Sequence, residues 1–299
     1  MHVYTYICVR IQKTITMDRK EFVKRSLLGA GVVAAGIPVI SATQDEQKEV
    51  GFNHIPATKG ETMKNIIIHR ADTRGHANHG WLNSYHTFSF AQYYNPERMH
   101  FGVLRVLNDD QVAPGMGFGT HPHDNMEIIS IPLSGDLEHK DSMGNVAVIR
   151  QNDVQVMSAG TGIRHSEYNK NAEQEVKFLQ IWVFPNKRNV TPRYDQLTFK
   201  PDDRKNTWQQ ILSPSADDAG VWIHQDAWFH WGEWSAGKTA EYKIKKSGNG
   251  VYVFVLSGAV TIGEVKLNAR DGMGIVDVSS FEVKTDADAF VLLMEVPMN

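Results

Sequence analysis

From Lys64 onward the chain alternates short apolar runs with clusters of Gly, Asp, Asn and Pro, and helical periodicity is scarce. Runs rich in Val, Ile, Phe and Tyr predict strands at Asn65–His69, His100–Leu107, Glu127–Leu133, Val146–Arg150, Asp153–Met157 and Lys177–Phe184. A charged, Pro-containing stretch from Pro185 to Asp218 interrupts the pattern. It then resumes at Val221–His224, Lys238–Ile244, Val251–Leu256, Ala259–Ile262, Gly274–Val278 and Ala289–Glu295. Many short strands at spacings of roughly ten residues predict a sandwich or barrel. Two such sets predict an all-β chain of two β-domains. Leu256-Ser-Gly-Ala-Val260 echoes Leu133-Ser-Gly-Asp-Leu137, each a strand, a tight Ser-Gly turn and a strand, which hints at duplication.

The start of the chain follows different rules. Arg19, Lys20, Lys24 and Arg25 precede an apolar stretch from Ser26 to Ile40, and the small residues Ser41 and Ala42 follow. Basic, apolar and small in that order describes a signal peptide over residues 1–42, and the exported protein would be periplasmic. Arg19-Lys-Glu-Phe-Val-Lys24 is similar to a twin-arginine signal with Lys20 at the second arginine, so the general secretory route stays open; Met17 is an alternative start. Residues 43–62 are polar with scattered Pro and Gly and read as a linker.

Composition narrows the chemistry. Charged residues make up 22% and apolar residues 41% of 299, values of a globular protein. No apolar run reaches the roughly 18 residues of a spanning helix, so the mature form is expected to need no membrane. One cysteine, Cys8, excludes a disulfide framework and multi-thiolate metal sites. The formal charge of −3 gives no basic excess for nucleic acid. Histidine is the informative bias: of 13, nine lie from His69 to His165.

Within that window, Gly115-Met-Gly-Phe-Gly-Thr-His121-Pro-His123-Asp-Asn-Met-Glu127 places two histidines two residues apart. On a strand, residues i and i+2 share a face. In Gly160-Thr-Gly-Ile-Arg-His165-Ser-Glu167, His165 and Glu167 share a face in the same way. Neighbouring strands run about 4.8 Å apart, so the two pairs can converge on one ion through three imidazoles and one carboxylate. Such a set suits one mononuclear divalent metal: iron, manganese, copper, nickel or catalytic zinc. Four protein ligands leave two positions open on a six-coordinate ion. Glu127, four residues past His123, falls on the ligand face by strict alternation; it is a fifth ligand, an orienting residue or a base.

These residues carry a family resemblance. Gly115-x5-His121-x-His123-x3-Glu127 with Gly135 resembles the first cupin motif, and Gly162-x2-His165-x3-Asn169 the end of the second, with Gly160 where a proline is usual. Arg74-Gly-His-Ala-Asn-His-Gly-Trp81, Tyr85-His-Thr-Phe-Ser-Phe90, Leu104-Arg-Val-Leu-Asn-Asp-Asp110, Gly119-Thr-His-Pro-His123 and His165-Ser-Glu167 make the chain similar to bacterial pirins, across most of residues 70–185. The resemblance implies two jelly-roll-type cupin β-barrels packed face to face. An N-terminal barrel over 63–190 would hold Fe(II) through His121, His123, His165 and Glu167. A C-terminal barrel over 191–299 would lack ligands. Glu127 then moves to a supporting position, and Glu167 and Glu127 are the candidate catalytic carboxylates. The implied activity is a dioxygenase that cleaves a flavonol such as quercetin with O2. The implied alternative, from the co-regulator role of eukaryotic pirins, is a non-enzymatic iron-binding redox sensor.

Other features have plainer readings. His224 and His230 lack paired partners and read as surface or core residues. The aromatics from Trp81 to Tyr94 could line a polyphenol site or pack a barrel lid. Arg164, next to His165, could meet an anionic substrate oxygen or face solvent. The expected state is a monomer whose partners are a small polyphenol and dioxygen.

Overall fold

The computed structural model describes residues 65–299; the signal segment and the linker through residue 62 lie outside the described residues. The described chain is nearly all strand, arranged as two seven-stranded sheets and two four-stranded sheets. In the first barrel the large sheet runs Arg193–Thr198, Asp153–Ser158, Glu127–Ser134, Val176–Val183, Leu104–Val112, Leu82–His86, Gly75–Asn78. Its small sheet runs Gly117–His123, Ile163–Asn169, Leu137–Asp141, Val146–Ile149. In the second barrel the large sheet runs Ile66–His69, Gly272–Ile275, Asn249–Ser257, Ala289–Pro297, Trp228–Trp234, Gln209–Ser213, Val221–Trp222. Its small sheet runs Thr239–Lys243, Ser280–Thr285, Ala259–Ile262, Val265–Asn268.

The two large sheets face each other across one continuous apolar layer. Ile129, Ile131, Leu179, Ile181 and Val183 from the first meet Phe229, Trp231, Tyr252, Phe254, Leu292 and Met294 from the second. Strand alternation leaves the other faces to line the barrel interiors. Strands apolar on both faces therefore read as continuous hydrophobic runs, as Asn249–Ser257 does. Each such side chain contributes about 1.5–3 kcal/mol when buried, so the shared layer ties the barrels into one unit. The chain also crosses between them. Ile66–His69 pairs antiparallel with Gly272–Ile275 of the second barrel, although it directly precedes the first in sequence.

The duplication hinted at by the Ser-Gly turns is structural. Gly135 and Gly258 both take φ near +75° (75° and 78°), and a Cβ on either would collide with the backbone just before the neighbouring strand, at Glu175 or Asp288. Just before each turn the ladder carries a bulge, between Lys177 and Phe178 in one barrel and between Val255 and Ser257 in the other.

Candidate metal centre

His121 and His123 project from Gly117–His123, and His165 and Glu167 from Ile163–Asn169; all four are buried in the first barrel. The two strands pair with His165 opposite His121 and Ile163 opposite His123. Gly117 permits this approach, because a Cβ there would strike the carbonyl oxygen of Glu167. A bulge between His165 and Glu167 adjusts the ladder beside the site.

The three imidazoles form a tight triangle, with ring centroids 4.4 Å apart for His121 and His165 and 4.9 Å apart for each other pair. One nitrogen from each lies within 4.8 Å of the others, and a second set at the same spacing joins His165 and Glu167 to His139. Burial lowers the pKa of all three ligand-side histidines, that of His123 to about 3, so they are neutral at pH 7 and each has one unprotonated ring nitrogen. His121 Nδ1 donates to the carbonyl of Gly119 at 2.8 Å, which leaves Nε2 as the lone-pair nitrogen. The decisive atom is His165 Nε2: it is buried and has no hydrogen-bond partner. A buried polar atom without a partner costs about 1–3 kcal/mol. Three neutral imidazole donors at that spacing fit a divalent transition ion, and Glu167, grouped with His165 and His139 rather than with His121 and His123, lines the same cavity.

The cavity is about 30 Å³, room for roughly two water-sized groups. Besides the histidines and Glu167, its wall is polar at Asn108, Asp110 and Gln180 and aromatic at Phe90, Phe118 and Trp182. Ser130 Oγ donates to Glu167 Oε1 at 3.2 Å and lies 3.3 Å from Gln180 Oε1. Burial pushes the Glu167 carboxyl up to about 7, with Asp110 adding to the rise and Ser130 opposing it. Asp110 is likewise raised to about 7 by burial, against the hydroxyl of Ser84 that donates to it. Asn108 Oδ1 and Trp182 Nε1 are buried without partners.

One sequence expectation changes here. Glu127 does not face the ligands. It follows the parity of Ile129 and Ile131 toward the layer between the barrels, where it accepts a 2.6 Å hydrogen bond from Ser158 Oγ. Alternation counted from His123 fails because the chain leaves one strand and enters another through Asp124-Asn125-Met126, with Asn125 at φ 46°. Arg164 alternates with His165 and is exposed, so it points out of the barrel. The aromatic segment divides: Phe90 lines the cavity, Phe88 joins the layer between barrels, and Tyr94 is exposed. His230 is buried beside the Tyr242 hydroxyl at 3.3 Å, a core histidine, and His224 is half-buried.

His139, Asn108, Asp110 and Gln180 enter the site without having been singled out. Asn108 and Asp110 share the i, i+2 parity that marked the histidines, within the family string ending at Asp110; that parity was the signal available. In the second barrel the ladder registers put Tyr242 and Phe281 where His121 and His165 pair, and Val283 and Ile262 where Glu167 and His139 pair. That interior is apolar, and among the described residues both candidate ligand groups lie in the first barrel.

Two face-to-face β-barrels, one with His121, His123, His165 and Glu167 buried in its interior, define a bicupin. The chain belongs to the pirin family: residues 68–183 match Pirin, and residues 210–296 match the Quercetinase C-terminal cupin domain. It is similar to quercetin 2,3-dioxygenase of Escherichia coli strain K12, 44% identical over 234 residues that cover 78% of this chain and 99% of the relative. It is also similar to a pirin-like protein of Caulobacter vibrioides, 41% identical over 75% of this chain and 96% of the relative. Among solved structures it resembles a bacterial pirin from Escherichia coli in complex with nickel(II), at 43% identity and TM-score 0.74, over 78% of this chain and 99% of that one.

Proposed function

We propose that the protein is a metal-dependent dioxygenase that cleaves a flavonol-like polyphenol with O2. The observation that carries this reading is the partnerless His165 Nε2, buried among two further neutral imidazoles and a carboxylate. The similarity to enzymes named quercetin 2,3-dioxygenase supports the substrate class. His121, His123, His165 and Glu167 would hold one divalent ion, Fe(II) foremost, with Cu, Mn, Ni and Zn compatible with the same donors. When bound, the ion would supply a Lewis-acidic and redox-active point where adjacent substrate oxygens and dioxygen meet.

The chain's own groups account for binding and proton handling. Phe90, Phe118 and Trp182 offer aromatic faces to a planar ring and keep water away from it. The cavity admits the chelating edge of a polyphenol, while the remaining rings stay at the mouth. Trp182 Nε1 can donate to a substrate oxygen, and Asn108 Oδ1 can accept from a hydroxyl, which satisfies both orphaned atoms. A flavonol gives up its hydroxyl proton on binding, and a buried carboxylate in the cavity wall is placed to accept it. Glu167 is placed for this, with Ser130 fixing Oε1. Asp110 supplies a second carboxyl on the same cavity.

An oxygen electrode tests the reading. Oxygen uptake should require both metal and quercetin, and His121→Ala should lower the rate by at least about 100-fold. A metal-loaded protein that consumes no oxygen with quercetin or related enediols would favour the iron-binding redox role instead.

A further inference from the structure

His139 and Asp141 lie on the strand next to the ligand strand, opposite Glu167 and His165 respectively. His139 is completely buried, and Tyr194 packs against its ring at 4.9 Å between centroids. His139 Nε2 lies 3.2 Å from Asp141 Oδ2, and His139 Nδ1 lies 3.4 Å from His165 Nδ1. Asp141 is held from its other sides by the backbone N–H groups of Met143 and Asn145, at 2.9 and 3.0 Å, and by Asn145 Nδ2 at 2.8 Å.

Proton bookkeeping along this chain has one consistent solution. An ionised carboxylate only accepts, so the nitrogen facing Asp141 must donate; His139 therefore carries its hydrogen on Nε2. A neutral imidazole has a single N–H, so His139 Nδ1 is a lone pair. The neighbouring His165 Nδ1 must then bear the hydrogen between them, which leaves a lone pair on His165 Nε2. That is the buried nitrogen without a partner, on a ring whose centroid lies 4.4 Å from that of His121 and 4.9 Å from that of His123. A neutral histidine in water prefers the opposite tautomer, with its hydrogen on Nε2, so the observed environment works against the intrinsic preference. The second barrel agrees: where the ligand positions are Tyr242, Phe281 and Val283, the register position of His139 is Ile262.

We propose that His139, oriented by Asp141, is a positioning residue that fixes the proton of His165 on Nδ1 and so aims the Nε2 lone pair into the cavity. The proposal rests on the reading of the cavity as a metal centre, and it deepens that reading by assigning what selects the ligand tautomer.

The test uses the full chain labelled with 15N-histidine. A long-range 1H–15N correlation spectrum of the metal-free protein reports which ring nitrogen of His165 is protonated. A nickel(II) titration by calorimetry reports affinity. Wild type should show His165 protonated on Nδ1. His139→Phe should move the proton to Nε2 and weaken nickel binding about 10–100-fold. His139→Asn places an amide oxygen near the former Nδ1 and should restore both readouts. A wild-type His165 protonated on Nε2 would overturn the proposal, and so would a His139→Phe variant with unchanged tautomer and affinity. Should His139→Phe fail to fold, the wild-type spectrum and His139→Asn still decide. A wild type that binds no nickel would overturn the metal reading alone, because the tautomer is read without metal.

Discussion

Glu127 and Glu167 are both buried carboxyls raised to about 7, yet they do different things. Glu167 faces the imidazoles; Glu127 faces the other barrel, where Ser158, the backbone N–H of His224 and the Arg193 charge partly offset its burial. For Glu127 the folded pKa lies above the usual 4.5. The native state therefore binds the extra proton between about 4.5 and 7, and this stabilisation is complete below 4.5 and lost as pH rises through 7. Glu127→Gln removes that loss. The variant should match wild type near pH 5 and gain on it by pH 8, by on the order of 3 kcal/mol at most, with metal content unchanged. Denaturant unfolding at the two pH values measures this, and a variant that loses the metal would return Glu127 to the site. The same residue shows where local reading stops. His121 with His123, and His165 with Glu167, were legible because each pair lies on one strand. Glu127 was misplaced because a turn resets parity. His139 and Gln180 were invisible because their nearness to the site comes from pairing between strands far apart in sequence.

At the scale of elements, strands buried on both faces, such as Val176–Val183 and Asn249–Ser257, announced themselves by composition. Arg193–Thr198 and Gln209–Ser213 did not. The first is a half-exposed edge strand reading RYDQLT, and both fall in the charged stretch that interrupts the strand pattern. The Ser-Gly turns were legible, and the structure explains their glycines. At Gly258 a side chain would need the left-handed region and would also strike the Asp288 carbonyl. Gly258→Ala should destabilise the protein by about 1–3 kcal/mol in equilibrium unfolding while one metal still binds in the first barrel. Unchanged stability would show that the turn relaxes, and that the matched turns of the two barrels are not required by backbone geometry.

On the scale of the whole molecule, duplication and divergence explain why two barrels carry one site. The large sheets face inward on a common apolar layer, so the second barrel supplies surface to the first whether or not it binds anything. Its interior has Val253, Met273 and Leu293 where the first barrel has Ser130, Gln155 and Gln180, as the matched ladders show. The face-to-face pair of barrels was legible through the family resemblance. The strand exchange that sends Ile66–His69 into the second barrel was not, because strand partners are chosen by tertiary packing rather than by neighbourhood in sequence. The measurement that tests the account most directly is an anomalous difference map from crystals of the protein loaded with nickel(II). One peak per chain is expected, within coordination distance of His121 Nε2, His165 Nε2, a His123 nitrogen and a Glu167 oxygen. A peak in the second barrel, or one held by His139 without His121 and His123, would contradict it.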